Sequence, residues 1–194
     1  PAAYEFCYQP TLWPKIDEFK KTWETYYAAM EDLAKRIMAA FAEALGLESS
    51  YFDRFISNPI SALRALHYPT TTDAIIEKQQ RAGAHTDYGS LTILLPQVGT
   101  TGLQIKKKNS WIDVPALEDC LIINIGDLME LWTAGRWVST LHRVIARPNQ
   151  PPRKSLAYFH QPDWDCKINP INSNNYESVV SGPYLMDKFK STNL

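Results

Sequence analysis

The spacing of apolar residues changes once along this chain, from helical near the amino terminus to strand-like afterwards. Between Pro14 and Leu45, apolar residues recur every three or four positions, as they do on one face of an amphipathic helix. After about residue 62 they tend to alternate with polar residues, as they do on strands that bury one face. The chain must therefore pack one long helix against a succession of short strands.

The helix is predicted over residues 14–46, because Pro14 suits a first helical turn and Gly46 suits the position after the last one. Its apolar stripe consists of Ile16, Phe19, Trp23, Tyr26, Met30, Leu33, Ile37, Phe41 and Leu45. Such a stripe is also compatible with a coiled coil, but the sequence offers no comparable second helix as a partner. We therefore expect a support helix that packs outside a β-barrel.

The strands indicate a mainly β fold with flanking helices. Candidate strands cover residues 63–68, 84–95, 102–105, 111–114, 121–125, 138–146 and 155–159. Strands of this length, joined by Gly, Asn and Pro turns, are typical of an antiparallel sandwich or jelly-roll barrel. At 194 residues with 45% hydrophobic content, the chain reads as one domain, with its barrel core over residues 62–160.

A candidate metal site begins at the start of the apolar strand predicted over 84–95. His85 and Asp87 are two residues apart, so in a strand both side chains would point to the same face. His142 lies in a second alternating segment and can supply a third ligand. Two histidines and one carboxylate form the facial arrangement that suits non-haem Fe(II) and leaves coordination positions open.

A second polar pair follows His142 on the next strand. Arg153 and Ser155 are two residues apart and share one face of that strand. The planar guanidinium can bind both oxygens of a carboxylate, and the hydroxyl can add a further donor. This pair therefore predicts a site for a carboxylate ligand.

The order His85, Asp87, His142, Arg153 and Ser155 resembles the isopenicillin N synthase-like family of Fe(II)- and 2-oxoglutarate-dependent oxygenases. The resemblance runs from about residue 13 to 184 and includes the motifs H-T-D-Y-G-S-L-T, G-L-Q-I, N-I-G-D, S-T-x-H-R-V and R-x-S. It implies a double-stranded β-helix, the jelly-roll barrel. Members of that family are longer at the amino terminus, so we expect residues ahead of Pro1 to be missing and the 194 residues not to be the complete folding unit.

The resemblance also implies the chemistry. Fe(II) would be bound by His85, Asp87 and His142, with no catalytic side chain beyond these ligands. The cosubstrates would be 2-oxoglutarate, anchored by Arg153 and Ser155, and O₂. Oxidation of a substrate C–H bond, by hydroxylation, desaturation or ring closure, would release succinate and CO₂.

Three further residues are weaker candidates. In the family, a tyrosine at the place of Tyr68 contacts the cosubstrate carboxylate, although Tyr68 can also be a half-buried strand aromatic. Phe159 continues the Arg153 face and is expected to line the substrate pocket, although such a residue can equally fill a small barrel. Arg64 lies on the Tyr68 face and is expected to bind a substrate carboxylate, if the substrate carries one.

Composition limits the partners. A net charge of −1 and an isoelectric point near 6.5 disfavour nucleic acid, and no apolar run approaches a membrane span. Three cysteines without C-x-x-C spacing favour free thiols in a reducing cytoplasm. We expect a cytoplasmic monomer that acts on a small, largely apolar or aromatic molecule.

Two alternatives remain open from the sequence. One is a related oxidase that keeps the arginine and serine yet consumes no 2-oxoglutarate. The other is a non-catalytic jelly-roll binding protein that keeps its metal for structure.

Overall fold

The structure is a computed structural model that describes residues 2–71, 79–172 and 177–192. Its helices are α1 (Ala2–Cys7), α2 (Phe19–Ala44), α3 (Asp127–Trp132) and α4 (Ser181–Thr192). Its strands are β1 (Ala62–Tyr68), β2 (Gln80–His85), β3 (Leu91–Pro96), β4 (Leu103–Lys107), β5 (Ser110–Asp113), β6 (Ile122–Ile125), β7 (His142–Ile145), β8 (Arg153–His160), β9 (Lys167–Ile168) and β10 (Val179–Val180).

Two four-stranded antiparallel sheets form the jelly roll. The major sheet has the order β1-β8-β3-β6, and the minor sheet has the order β2-β7-β4-β5. Neighbours in each sheet are mostly distant in sequence, as expected when a chain winds back and forth between two facing sheets. The short strands β9 and β10 form a separate ribbon. The jelly-roll architecture predicted from the sequence is confirmed.

The long helix packs against strands β3 and β8 on the outer face of the major sheet. Met30, Ala34, Met38 and Ala42 are its buried residues, two of them alanines that let the helix axis approach the sheet closely. Successive side chains of β3 and β8 point to opposite faces of the major sheet. Ile93 and the other residues of its face pack against the helix, and the residues between them point into the space between the two sheets. The outer residues meet the helix in one continuous core.

The predicted start of this helix was wrong. The helix begins at Phe19 rather than at Pro14, because Glu18 adopts a left-handed conformation with φ 60°, which no α-helix continues. Residues 14–17 form turns instead, and Ile16 is 63% exposed. The helix ends as its sequence suggests: Gly46 has φ +74°, and the N–H of Leu47 donates to the Ala42 carbonyl in a Schellman motif.

The strand expected over residues 84–95 is divided in two. His85 ends β2 in the minor sheet, and Leu91 begins β3 in the major sheet, so the chain crosses between the sheets in the segment that contains Asp87. Gly89 makes this crossing possible, because a Cβ there would lie 2.4 Å from the His160 carbonyl oxygen. The shared strand face proposed for His85 and Asp87 is therefore not what brings them together.

Residues Asp53–Phe55 form a single 3₁₀ turn after the long helix. Lys108, with φ 53°, lies in the β4–β5 hairpin turn. Within the described ranges, no helix combines the length and apolarity needed to cross a bilayer.

Candidate metal centre and cosubstrate cavity

The two candidate histidine ligands lie opposite each other on paired strands. His85 and His142 are register partners in β2 and β7, and their ring centroids are 4.3 Å apart. Each ring donates its Nδ1–H to a backbone carbonyl two residues earlier, at 2.7 Å from His85 to Gly83 and at 3.0 Å from His142 to Thr140. Since a carbonyl only accepts, Nδ1 carries the proton and Nε2 keeps its lone pair free for a metal.

Asp87 brings its carboxylate to the same point from the crossing segment. Its Oδ1 lies 3.9 Å from Nε2 of His85 and 3.8 Å from Nε2 of His142. Its Oδ2 accepts hydrogen bonds from the Thr92 hydroxyl at 2.6 Å and from the Asn124 side-chain amide at 2.8 Å. One oxygen is thus held by the protein, and the other faces both imidazoles.

The three side chains fit a divalent metal ion. Their ligand atoms all lie within 4.8 Å of one another, and within the described ranges they form the only such group of three found. The donor set of two imidazoles and one carboxylate is the one that suits non-haem Fe(II). The geometry therefore brings together His85, Asp87 and His142, which the sequence nominated as ligands.

Helix α3 makes hydrogen bonds to the segments that carry Asp87 and His142. The N–H of Asp127 donates to the Asp87 carbonyl at 2.8 Å, and the Glu130 carboxylate accepts the N–H of Ser139, three residues before His142. Asp127 itself pairs with Lys188 of α4 at 2.9 Å. Burial acts to raise the pKa of Asp127, but the Lys188 hydrogen bond and other donors outweigh it and leave that pKa below its usual value.

A cavity of about 290 Å³ between the two sheets contains the metal site and the predicted cosubstrate residues. Arg153 and Ser155 line it, are 3% and 6% exposed, and lie on alternate positions of β8. Nη1 of Arg153 is buried and has no hydrogen-bond partner within the described residues. Burial lowers the pKa of this guanidinium, yet arginine stays cationic in proteins, and no carboxylate among the described residues pairs with it.

Tyr68 lies next to this arginine. It is the register partner of Arg153 across β1 and β8, and the guanidinium carbon lies 5.1 Å from its ring centroid. Tyr68 lines the cavity as well. The three residues nominated for the cosubstrate are therefore adjacent to one another.

The residues nominated for the substrate also line the cavity. Phe159 continues the inward face of β8 beyond Ser155, and Arg64 lies on the inward face of β1 and is exposed. The other walls are largely apolar, formed by Leu66, Ala82, Leu94, Leu103, Ile105, Val114, Ile122, Val144 and Ala157.

The two other histidines, His67 and His160, are not among the residues that line the cavity. His67 lines a groove on the outer face of the major sheet. His160 is 1% exposed and its Nδ1 lies 2.6 Å from the Ser90 hydroxyl. Burial lowers the pKa of His160 to about 4, and the positive charge of Lys35 acts in the same direction.

Three cavity residues were missed in the sequence. Thr92 and Asn124 are polar residues within apolar strands, which is the signal that could have identified them. Arg81 also lines the cavity and donates to the Pro69 carbonyl at 2.6 Å. Its place on the short, irregular β2 gave no periodic signal.

A family model described as the 2OG-Fe(II) oxygenase superfamily matches residues 59–162. The chain belongs to this family. The resemblance inferred from the motifs is thereby confirmed at the level of Fe(II)/2-oxoglutarate oxygenases, whereas the isopenicillin N synthase-like branch stays a prediction. The matched residues include His85, Asp87, His142 and Arg153.

Relatives and solved structures agree with this assignment. The 2-oxoglutarate-dependent dioxygenase thnC of Trichoderma harzianum is 34% identical over 188 residues, which cover 94% of this chain and 58% of thnC. A full-length Neurospora crassa protein solved in complex with alpha-KG superposes with a TM-score of 0.88 at 35% identity, covering 94% of this chain and 62% of that one. The structure of JOX2 with 2OG, Fe and JA gives a TM-score of 0.78 at 28% identity, covering 93% of this chain and 54% of that one. The chain thus spans little more than half the length of these proteins.

Proposed function

We propose that this protein is an Fe(II)- and 2-oxoglutarate-dependent dioxygenase that oxidises a C–H bond of a small organic substrate and releases succinate and CO₂. The observation that carries the proposal is the shared cavity: the His85, Asp87 and His142 cluster lines the same space as Arg153, whose buried Nη1 has no hydrogen-bond partner among the described residues. A metal site alone would suit many proteins. A metal site beside a buried arginine that pairs with no carboxylate of the described residues suits a cosubstrate that both chelates a metal and carries a second carboxylate.

Each group of residues has a distinct task. His85, Asp87 and His142 would hold Fe(II), which with 2-oxoglutarate and O₂ supplies the oxidation of an unactivated C–H bond. Arg153 would bind the distal carboxylate of 2-oxoglutarate through its guanidinium fork, with the Ser155 hydroxyl as an additional donor. Tyr68 would contact the same carboxylate, since its ring centroid lies 5.1 Å from the guanidinium carbon of Arg153.

The walls of the cavity define the substrate. Its volume lies at the lower end of small-molecule pockets, and most wall residues are apolar. We propose that Phe159 packs against the substrate and that Arg64, which has no ion-pair partner among the described residues, receives a carboxylate where the substrate carries one. Hydroxylation, desaturation and ring closure are all compatible with such a pocket.

We further propose that the protein acts as a cytoplasmic monomer without a nucleic-acid or membrane partner. The support is compositional: all three cysteines are free thiols, and the net charge is −1. Size-exclusion chromatography with light scattering of the full-length protein tests the monomer, and cell fractionation tests the compartment.

Anaerobic titration tests the proposed activity. The full-length protein is mixed with Fe(II) and 2-oxoglutarate, and the visible charge-transfer absorption of the iron chelate is recorded. The expected result is a weak band that appears only when both are present, followed by succinate formation when O₂ is admitted. Arg153→Leu and His142→Ala serve as matched controls, since each removes one half of the chelate site.

Other outcomes would refute the proposal in distinguishable ways. O₂ consumption without 2-oxoglutarate would indicate an oxidase. Metal binding with neither the band nor O₂ consumption would indicate a jelly roll that keeps its metal for structure.

A further inference from the structure

The carboxylate of Asp87 is held from one side by two donors. Thr92 of β3 and Asn124 of β6 are direct register partners in the major sheet, and both donate to the same oxygen, Oδ2. The donor distances are 2.6 Å from the threonine hydroxyl and 2.8 Å from the asparagine amide. Asp87 is 7% exposed and Thr92 is 4% exposed, so water has little access to this contact.

The two donors give the two carboxylate oxygens of Asp87 different environments. A threonine hydroxyl and an asparagine amide can both donate, and an ionised carboxylate only accepts, so the direction of each hydrogen bond is fixed. With Oδ2 occupied, Oδ1 is the oxygen that faces the His85 and His142 imidazoles, at 3.9 and 3.8 Å from their Nε2 atoms. The plane of the carboxylate is thereby fixed before any metal arrives.

We propose that Thr92 and Asn124 are positioning residues that make Asp87 a ligand through one oxygen only. The inference rests on the proposed iron site. A free carboxylate can offer both oxygens to a metal, whereas this one has a single oxygen available. The coordination position that a second carboxylate oxygen would occupy is then kept for the cosubstrates. In addition, the rotational entropy of the Asp87 side chain is lost on folding and not on metal binding.

A purely structural role makes a different prediction. A buried carboxylate needs donors for its own solvation, so removing one would destabilise the fold wherever the carboxylate lay. A positioning role requires in addition that metal affinity falls by more than the loss of stability explains. Residues outside the ligand set that orient metal ligands typically contribute on the order of 10- to 100-fold in affinity.

Isosteric substitutions at Thr92 separate these roles. Thr92→Val replaces the hydroxyl with a methyl group, whereas Thr92→Ser keeps the hydroxyl. Thr133→Val is the matched control, because Thr133 is also buried and its hydroxyl also makes hydrogen bonds, but none of them to a candidate metal ligand. The hydroxyl donates to the Met129 and Glu130 carbonyls and accepts from the Trp137 N–H. Asn124→Leu provides a second variant that removes the other donor.

The measurement is Mn(II) binding to the full-length protein by anaerobic calorimetry, together with thermal unfolding of each variant. We expect Mn(II) affinity to fall about tenfold or more in Thr92→Val and in Asn124→Leu, and to stay within about threefold of the parent in Thr92→Ser and Thr133→Val. Parent-like affinity in both Thr92→Val and Asn124→Leu would overturn the proposal. The proposal would also be overturned if Thr133→Val lost as much Mn(II) affinity as Thr92→Val while the two variants were destabilised equally.

The same titration separates this inference from the proposed activity. Mn(II) affinity is measured without 2-oxoglutarate or O₂, so an absence of turnover would count against the oxygenase and not against the two positioning residues. If Thr92→Val lost Mn(II) affinity and Thr92→Ser kept it, the positioning role would be supported whether or not the protein showed turnover.

Discussion

Replacing Arg153 with leucine removes the guanidinium that we expect to bind the distal carboxylate of 2-oxoglutarate. Arg153 is 3% exposed, its Nη1 has no hydrogen-bond partner within the described residues, and Tyr68 packs against its guanidinium. A cosubstrate carboxylate in this place would form a buried ion pair. Leucine fills most of the same space with apolar atoms, so the substitution tests the charge rather than the packing.

The size of the effect follows from this burial. Truncating one partner of a buried, hydrogen-bonded charge pair typically costs about 2 to 5 kcal/mol. Each 1.4 kcal/mol is about a tenfold change in a dissociation constant, so the 2-oxoglutarate requirement should rise about thirtyfold at the lower limit and about a thousandfold or more at the upper. Affinity for the metal and for the prime substrate should change little, because Arg153 supplies no metal ligand.

The assay is succinate formation as a function of 2-oxoglutarate concentration, with metal and substrate held at saturation. Arg153→Lys keeps the charge without the planar fork and should lie between the parent and Arg153→Leu. Arg147→Leu is the matched control: it removes an exposed arginine paired with Asp113, a contact worth about 0 to 1 kcal/mol. If Arg153→Leu used 2-oxoglutarate as well as the parent does, the anchor assignment would be wrong.

The remaining predictions concern four other positions. His142→Ala should abolish metal-dependent turnover while the far-ultraviolet circular dichroism stays native, and full activity in that variant would remove His142 from the ligand set. Phe159→Ala should lower substrate oxidation yet leave slow, uncoupled formation of succinate; equal loss of both, or of neither, would mean that Phe159 is not a substrate wall. Lys188→Met should lower the melting temperature by a few degrees, since it leaves the Asp127 carboxylate without its cation at a cost of about 1 kcal/mol, whereas Lys188→Arg should not. The folded-state pKa of His160 is about 4 against a usual 6.5, so the unfolded chain binds a proton that the folded protein does not, and stability should fall as the pH is lowered from about 6.5 towards 4. Denaturant titrations at pH 7.5 and 5 should show that His160→Gln removes up to about 2 kcal/mol of this loss, and an unchanged loss would contradict the buried neutral histidine.

The sequence was most informative where the chemistry depends on alternation within one strand. Arg153, Ser155 and Phe159 are two or four residues apart, and β8 directs all three into the cavity. The period-2 rule needs only that the strand exists, so these placements were accessible without knowledge of the fold.

Asp87 was nominated for an incomplete reason. The sequence suggested one strand through His85 and Asp87, but the chain changes sheets between them. The Asp87 carboxylate is held by donors in β3 and β6, and its backbone carbonyl accepts a hydrogen bond from α3. Those partners lie 5, 37 and 40 positions away in sequence for Thr92, Asn124 and Asp127. Which strands become neighbours in a jelly roll is decided by tertiary packing, so Thr92 and Asn124 could not be paired in advance.

Helix α3 shows the same limit for secondary structure. Its six residues, Asp127–Trp132, are too few to display a helical period, and such a short helix is marginal on its own. It is held by backbone hydrogen bonds to Asp87 and Gly89 and by Trp132, which is 1% exposed in the core.

The change of sheets at Asp87 makes the metal centre a cross-link between the two halves of the sandwich. His85 and His142 belong to the minor sheet, whereas Asp87 is tied to the major sheet through Thr92 and Asn124. A metal bound at this point joins two layers that are otherwise held together by side-chain packing. Such an ion binds only the assembled sandwich, and at a hundred times its dissociation constant it would add about 2.7 kcal/mol to the free energy of unfolding. The centre that is expected to activate O₂ would thus also connect the two sheets, and a sliding of one sheet over the other would release the metal ion.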